Sequence, residues 1–324
     1  MEEKALLVEA AIQETTQEPA QKNETVLRTI TLCSGKGGVG KTLLTASLAR
    51  ILRREENCNV LLVDLDLAVR GLTLLAFQNK AALGRMPYAL NDYLFGGPTV
   101  EQELFEELHK SLHNTEAATS SFYQRLDKIF ILPSSLESER VEWAQPARLE
   151  FDHALAKLKQ IQAFVREFLP VRYLIFDTQA GLGSLSLAAA MISDVNLIVL
   201  EEDDISWRTA LAILVEISDL SKHQQSRAKN YFLANKASPG LLDVAKKLKS
   251  FSFLPPLLYD LWLQRLFAQA TSTVFDRELE STNFFRQMNT QLWQDLSAIL
   301  GIPPSPTKNQ SPFGSWWRRM RGNP

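Results

Sequence analysis

Short apolar runs alternate with longer segments of helical periodicity from residue 26 onward. The runs that predict strands are 26–33, 60–63, 129–132, 173–176, 195–200, 231–234 and 253–254. The segments that predict helices are 41–54, 148–168, 184–192, 207–220, 241–249 and 283–300. Continuous apolar runs separated by helices are typical of strands that are buried on both faces of a parallel sheet. The pattern therefore predicts one α/β domain, doubly wound, with a mostly parallel sheet and helices on both faces.

The two ends of the chain lack this alternation. Residues 1–25 are polar and acidic, and the pattern over 3–12 is compatible with a short helix. We expect this segment to be either a flexible leader or a docking helix for a partner. Residues 303–312 are proline-rich and predict a linker to the last segment, 313–324. The expected organisation is a leader at 1–25, a folded domain at 26–302 and a tail at 303–324.

Composition narrows the class of protein. The 324 residues are 45% hydrophobic and 22% charged, with a formal net charge of -2. This net charge does not indicate a protein that binds along nucleic acid through overall basic charge. Cys33 and Cys58 are the two cysteines, too few for a disulfide scaffold or a four-cysteine zinc site within one chain. The acidic start does not resemble a signal peptide, and no apolar run approaches the ~20 residues that cross a bilayer. We expect a cytoplasmic protein.

A glycine-rich octet follows the first predicted strand and opens the first predicted helix. Its residues are Gly35, Lys36, Gly37, Gly38, Val39, Gly40, Lys41 and Thr42. They fit the spacing G-x-x-x-x-G-K-[ST], in which glycines let the backbone wrap phosphate oxygens and the helix adds its positive end. Lys41 is expected to bridge the β- and γ-phosphates, and the Thr42 hydroxyl to bind Mg²⁺. The octet predicts a site for ATP and magnesium.

Aspartates follow two of the other predicted strands. Asp64 and Asp66 come after 60–63, and Asp177 comes after 173–176. Ligands collect at the carboxyl ends of strands in open α/β sheets, and an aspartate there suits a magnesium site. An isolated D-x-D at a strand end is also common as turn or capping chemistry.

A lysine at the second position of the octet makes the motif more specific. With Lys36, the run K-G-G-V-G-K-T resembles the deviant Walker A motif of the MinD/ParA family of ATPases. The resemblance implies that Lys36 reaches across a homodimer interface to the phosphates of the partner's ATP. It also implies an ATP-dependent dimerisation switch with slow hydrolysis, catalysed by Lys36, Lys41 and Asp66.

Further segments resemble the family in the same order, over about residues 27–300. By this resemblance Asp66 orients the attacking water, while Asp64 and Asp177 lie in the shell of the metal. The run from Asp177 to Leu182 is similar to the family's switch segment, with Gln179 where proline is common, and it implies that Gly181 meets the γ-phosphate. Asn235 stands where the family reads the adenine edge.

The output of the switch is left open by this resemblance. Iron–sulfur carriers need cysteines at the dimer face, which Cys33 and Cys58 do not suit, and the tyrosine cluster of capsule-type kinases is absent from residues 300–324. The remaining hypotheses are control of an unidentified protein partner, an ATPase of a bacterial signalling or defence cassette, and partition on DNA. The segment from Arg70 to Thr73 is similar to ATPases of such cassettes.

The tail predicts contact with a membrane. Phe313, Trp316, Trp317 and Met320 are spaced for one face of a helix, and Arg318, Arg319 and Arg321 fall mainly elsewhere around it. A short basic amphipathic helix of this kind suits an anionic membrane surface. The alternative is that its aromatic residues pack on the core or on a partner protein.

Two charged regions carry weaker hypotheses. Non-specific DNA binding would use the basic residues Lys222, Arg227, Lys229, Lys236, Lys246, Lys247 and Lys249. The acidic run 201–204 is expected to be a solvated loop in which Asp204 caps the next helix, or else a contact for a basic partner.

Overall fold

The computed structural model describes residues 26–77, 88–113, 124–135, 149–238, 251–268 and 278–302. The leader, the tail and the predicted helix 241–249 lie outside these residues. None of the helices in the described ranges combines the length and the hydropathy that a bilayer-spanning helix requires.

Seven strands form one sheet within the described ranges. They are β1 Arg28–Cys33, β2 Asn59–Asp64, β3 Gln124–Leu126, β4 Ile129–Leu132, β5 Val171–Asp177, β6 Val195–Leu200 and β7 Lys229–Ala234. Their order is β3-β4-β2-β5-β1-β6-β7, and only β3 pairs antiparallel, at the edge. The prediction of a doubly wound, mostly parallel sheet is confirmed.

Helices follow the strands along the chain. They are α1 Lys41–Glu56, α2 Gly71–Ala76, α3 Leu90–Phe95, α4 Pro98–His113, α5 Phe151–Phe168, α6 Ser184–Ile192, α7 Asp204–Gln224, α8 Leu261–Ala268, α9 Glu278–Ser281, α10 Asn283–Gln287 and α11 Trp293–Ile299. A π-helical turn, Met288–Leu292, joins the last two.

Two hydrophobic clusters cover the two faces of the sheet. The first packs α3 to α7 against one face and includes Leu174 and Phe176 of β5. The second packs α1 and the C-terminal helices against the other face and includes Tyr173 and Ile175 of the same strand. Successive side chains of a strand point to opposite faces. Burial on both sides therefore explains why the strands are mostly apolar, with a few buried polar residues such as Thr29, Thr31 and Asn196.

Several predicted elements have different bounds in the structure. The helix expected from residue 148 begins at Phe151, and the helix expected over 283–300 is divided by the π-helical turn. Residues 253–254 form no strand; Phe253 makes an isolated parallel bridge to Phe232.

One long helix, α4, was not predicted, although its sequence carries the signals. Pro98 occupies its first position, where the missing N–H costs nothing, and Leu104, Leu108 and Leu112 are buried at a spacing of four residues. The polar and charged residues between these leucines mask the periodicity. β3 has only three residues and pairs at the sheet edge, so its sequence carries no comparable signal.

Burial within α7 gives a direct test of this packing. Ile217 is 0% exposed and belongs to the first cluster, whereas Val215 on the same helix is 59% exposed. We expect Ile217→Ala to lower the free energy of unfolding by about 2–5 kcal/mol, because it removes buried methyl groups and leaves a cavity. The control Val215→Ala should stay within about 0.5 kcal/mol of wild type in urea denaturation. Equal effects of the two substitutions would contradict the placement of α7.

Candidate nucleotide-binding site

Five parallel strands bring the predicted site residues to one edge of the sheet. In spatial order, this edge carries the ends of β2, β5, β1, β6 and β7. The carboxyl ends of parallel strands share one edge, where ligands bind in open α/β folds. The glycine-rich octet therefore lies between the aspartates of β2 and β5 on one side and the 201–204 run and Asn235 on the other.

The glycine-rich octet forms a loop that ends on the first turn of α1. Gly40 precedes the helix with φ 94°, a conformation that favours glycine, and no side chain caps the helix N-terminus. A Cβ on Gly40 would also lie 2.5 Å from Nδ2 of Asn235. At Gly37 and Gly38 an added Cβ would meet nothing within 4 Å. The loop thus leaves open space beside the positive end of a helix, as a phosphate site requires.

Lys41 lies buried at the bottom of this loop. Its Nζ donates a hydrogen bond to Ser34 Oγ at 2.8 Å, and Ser34 Oγ donates to the Lys36 carbonyl at 2.8 Å. Burial lowers the pKa of Lys41, while the carboxylates of Asp177 and Asp66 oppose that shift. Ser34 was not predicted as a site residue; a hydroxyl directly before the octet was the available signal.

Asp177 lies at the strand end where the sequence predicts a magnesium ligand. It is buried at the end of β5, and its Oδ1 accepts a hydrogen bond from Thr45 Oγ1 at 3.3 Å. Burial raises the pKa of this carboxyl, and the nearby Thr42 hydroxyl opposes that shift. Asp177 Oδ2 is buried and has no hydrogen-bond partner in the described part of the chain. Mg²⁺ prefers such oxygen ligands, so the Thr42 hydroxyl and the Asp177 carboxylate fit the ion.

Asp64 lies beside Asp177, because the two residues are paired in the register of β2 and β5. Burial raises the pKa of both carboxyls, and the charge of Asp177 raises that of Asp64 further. The Asp64 oxygens accept hydrogen bonds from the backbone N–H of Asp66 and from both donors of Thr73. Asp66 is only partly buried, and its Oδ1 accepts from Val69 N at 2.9 Å.

The segment after Asp177 is tied to the loop that precedes the octet. Gly181 has φ 99°, and its N–H donates to the Ser34 carbonyl at 2.8 Å. Gln179, which stands where the family commonly has proline, has its carbonyl held by Ser186 Oγ at 3.0 Å. The N–H that was expected to meet a γ-phosphate is thus bonded to Ser34 in this structure.

Asn235 supports the glycine-rich loop from the side of β7. Its Nδ2 donates to the Val39 carbonyl at 2.8 Å, and the residue is buried. The next residue, Lys236, donates from Nζ to the Gly38 carbonyl at 2.6 Å. The role expected for Asn235 was the reading of an adenine edge; in this structure its amide holds the loop.

Lys36 is held by carboxylates of its own chain. Its Nζ lies 3.0 Å from Glu201 Oε2 and 2.9 Å from Asp203 Oδ2, and these hydrogen bonds raise its pKa. The other Glu201 oxygen, Oε1, lies 2.6 Å from Lys236 Nζ. Glu201 therefore links the two lysines that flank the loop. We call Lys36, Glu201, Asp203 and Lys236 the ion-pair cluster.

The acidic run 201–204 caps the next helix, but through a different residue from the one expected. Asp203, not Asp204, caps α7, because its Oδ1 accepts from Ser206 N at 2.9 Å. Asp204 is the first residue of the helix and pairs with Arg208. The prediction was wrong by one residue because Asp203 and Asp204 are equally suited to capping in a sequence. The link from Glu201 and Asp203 to Lys36, 165 and 167 residues away, had no local signal.

Two of the basic residues considered for DNA have acidic partners. Lys222 lies 2.8 Å from Asp219, and Lys236 belongs to the ion-pair cluster. Lys246, Lys247 and Lys249 lie outside the described residues, as do the aromatic and basic residues of the tail.

Comparisons with known proteins agree with this geometry. An uncharacterized ATP-binding protein of Methanocaldococcus jannaschii is 28% identical over 185 residues, which cover 57% of this chain and 57% of that protein. The septum site-determining protein MinD of Escherichia coli K12 is 24% identical over 216 residues, 66% of this chain and 68% of MinD. The chain thus aligns with little more than half of the first relative.

A solved structure shows the same fold. MinD from Pyrococcus horikoshii, complexed with Mg-ADP, superposes with a TM-score of 0.58 at 20% identity, covering 86% of this chain and 98% of that one. The family model of the CobQ/CobB/MinD/ParA nucleotide binding domain matches residues 30–212, more than half of the chain, from within β1 to within α7. This chain therefore belongs to the CobQ/CobB/MinD/ParA family of nucleotide-binding domains.

Proposed function

We propose that this protein is a Mg-ATP-dependent dimerisation switch of the MinD/ParA type that hydrolyses ATP slowly and regulates a protein partner. The observation that carries the proposal is the convergence of Lys41, Thr42 and Asp177 at the uncapped end of α1, where one buried Asp177 oxygen receives no hydrogen bond from the described residues. A buried carboxylate oxygen without a donor calls for a cation, and a lysine beside a helix N-terminus calls for an anion. ATP with magnesium supplies both.

Each side chain of this site has a distinct task. Lys41 and the open glycine-rich loop hold the phosphates, while Thr42 and Asp177 hold the metal, which when bound neutralises phosphate charge. Asp66, partly exposed on the loop after β2, orients the attacking water in this proposal. Catalysis of phosphoryl transfer is mainly positioning and charge stabilisation, so turnover stays slow until the geometry is completed.

Lys36 makes the pairing of two chains depend on bound ATP. Its side chain is 37% exposed, so its bonds to Glu201 and Asp203 are screened by solvent and can be exchanged. A partner's triphosphate offers the amine a denser negative charge than the two partly exposed carboxylates of Glu201 and Asp203. We therefore propose that Lys36 leaves the ion-pair cluster when two ATP-loaded chains meet, which makes ATP a condition for the homodimer.

Replacement of Lys36 tests the dimer. Lys36→Ala should bind ATP like wild type, because Lys41 and the loop are intact, yet it should remain monomeric by light scattering. The control Lys222→Ala removes a lysine that pairs with Asp219, on α7. That control should dimerise with ATP as wild type does. An ATP-dependent dimer of Lys36→Ala would contradict the proposed role in the partner's site.

Replacement of Asp66 separates a hydrolysing switch from a nucleotide-binding scaffold. Asp66→Ala should retain ATP and accumulate as a dimer, with phosphate release reduced by about 100-fold or more, because the attacking water is no longer oriented. Asp66→Asn, whose amide oxygen can still accept from Val69 N–H, should lose activity in the same way. Phosphate release at the wild-type rate in either variant would remove Asp66 from the mechanism.

We also propose that the tail, 313–324, attaches the ATP-bound dimer to an anionic membrane surface. One short amphipathic segment binds weakly, but pairing presents two of them and raises avidity without a new contact. The outputs of signalling cassettes and of DNA partition remain alternatives to this one.

Sedimentation with vesicles tests the tail. The full chain should sediment with vesicles that contain phosphatidylglycerol in the presence of ATP, and less with ADP, because only the dimer carries two tails. Removal of 313–324 should abolish sedimentation and preserve the dimer. Vesicles of phosphatidylcholine alone are the control for charge. Failure of the full chain to sediment with ATP would refute membrane attachment, and sedimentation with DNA instead would favour partition.

A further inference from the structure

We infer that Asp64, Thr73 and Ser134 form a positioning unit that sets the place of Asp66, and that Asp64 acts through this unit rather than in the shell of the metal. The inference rests on the proposed function, since it concerns the residue that orients the water. It assigns to Thr73 and Ser134, neither of which was predicted as a site residue, a part in hydrolysis.

The oxygens of Asp64 are committed to the loop that follows β2. Oδ1 accepts from the backbone N–H of Asp66 at 3.1 Å. Oδ2 accepts from the N–H of Thr73 at 2.8 Å and from Thr73 Oγ1 at 2.7 Å. The residue is 0% exposed, so these three donors replace water as its hydrogen-bond partners. One carboxylate thus fastens both ends of the segment 66–73.

Thr73 continues the connection to the next strand. Its hydroxyl donates to Asp64, so its lone pairs are free to accept from the backbone N–H of Ser134, at 2.9 Å. Ser134 returns a bond from Oγ to the Asp64 carbonyl at 2.8 Å. The unit therefore joins the ends of β2 and β4 to the first turns of α2, and all three of its side chains are buried.

The loop between these anchors holds Asp66 from its other side. Val69 N donates to Asp66 Oδ1 at 2.9 Å, and Arg70 N donates to the Asp66 carbonyl at 2.7 Å. Asp66 is thus fixed at its N–H by Asp64 and at its carbonyl and carboxylate by the turn. A displacement of the loop would move the carboxylate that orients the water.

Asp177, which lies beside Asp64, differs from it in hydrogen bonding. Asp177 keeps a buried oxygen without a hydrogen-bond partner in the described part of the chain, whereas both oxygens of Asp64 receive donors. A carboxylate that accepts three hydrogen bonds has less capacity left for the water shell of a metal. The two carboxylates, paired in register, therefore have different tasks: Asp177 faces the cation and Asp64 holds the loop.

Thr73→Val tests the unit, because it removes the hydroxyl and preserves the shape of the side chain. We expect kcat to fall roughly 10- to 100-fold, while KM for ATP and ATP-dependent dimerisation stay at wild-type values. Thr73→Ser restores the hydroxyl and should restore kcat. Thr31→Val is the matched control: Thr31 is equally buried, and its hydroxyl bonds Ser193 Oγ at 2.7 Å, outside the unit. It should leave kcat unchanged.

Asp64→Asn distinguishes the two roles of Asp64 without relying on hydrolysis. The binding of a fluorescent ADP analogue, titrated with magnesium, should show the half-saturating magnesium concentration of wild type. Hydrogen exchange of peptides that cover 65–70 should become faster in this variant and in Thr73→Val. If Thr73→Val does not fold, the magnesium titration and the hydrogen exchange of Asp64→Asn test the inference instead.

Each of the following results would overturn either the inference or the proposed function. Wild-type kcat in Thr73→Val, or an equal loss in Thr31→Val, would overturn the positioning unit. A rise of tenfold or more in the half-saturating magnesium concentration of Asp64→Asn would place Asp64 in the metal shell and overturn the inference as well. An absence of hydrolysis in the wild-type protein would instead refute the proposed function and leave the exchange measurement to decide the role of the unit.

Discussion

Parallel pairing of β2, β5 and β1 brings the chemistry of this protein to one edge of the sheet. The register places Asp64 opposite Asp177, and β1 beside them leads into the glycine-rich loop. Two buried carboxyls thus lie side by side, and Asp177 lies near the buried Lys41. Burial raises the pKa of both carboxyls and lowers that of Lys41, so bound ions of opposite charge at this edge would favour the charged forms of these side chains.

Residues that follow β6 and β7, at the other half of this sheet edge, hold the glycine-rich loop in its conformation. Asn235 and Lys236, at the end of β7, donate to the carbonyls of Val39 and Gly38. Glu201, after β6, connects Lys236 to Lys36. The amine expected to enter a partner's site therefore starts from a defined position in its own chain. Exchange of one set of anionic partners for another would give the proposed switch two states without a large change in the fold.

The sequence predicted the parts of the site that depend on local chain geometry. The glycine-rich octet needs its strand, turn and helix in succession, and the aspartates need only the end of a strand, so Lys41, Thr42 and Asp177 lie where they were expected. Long-range partners carry no such signal. Nothing in the run 201–204 indicated that Glu201 and Asp203 would hold Lys36, and nothing around Thr73 indicated Ser134, 61 residues away, as its partner.

By itself the sequence determined the class of fold and the position of the glycine-rich loop between β1 and α1, because hydrophobic periodicity and glycine spacing act within a few residues of the chain. Only the tertiary structure decided which hydrogen bonds each polar side chain makes. Asp64 and Asp177 are the same residue type at the ends of two buried strands. They acquire different partners because β2 adjoins β4 and the start of α2, whereas β5 adjoins β1 and the first turns of α1.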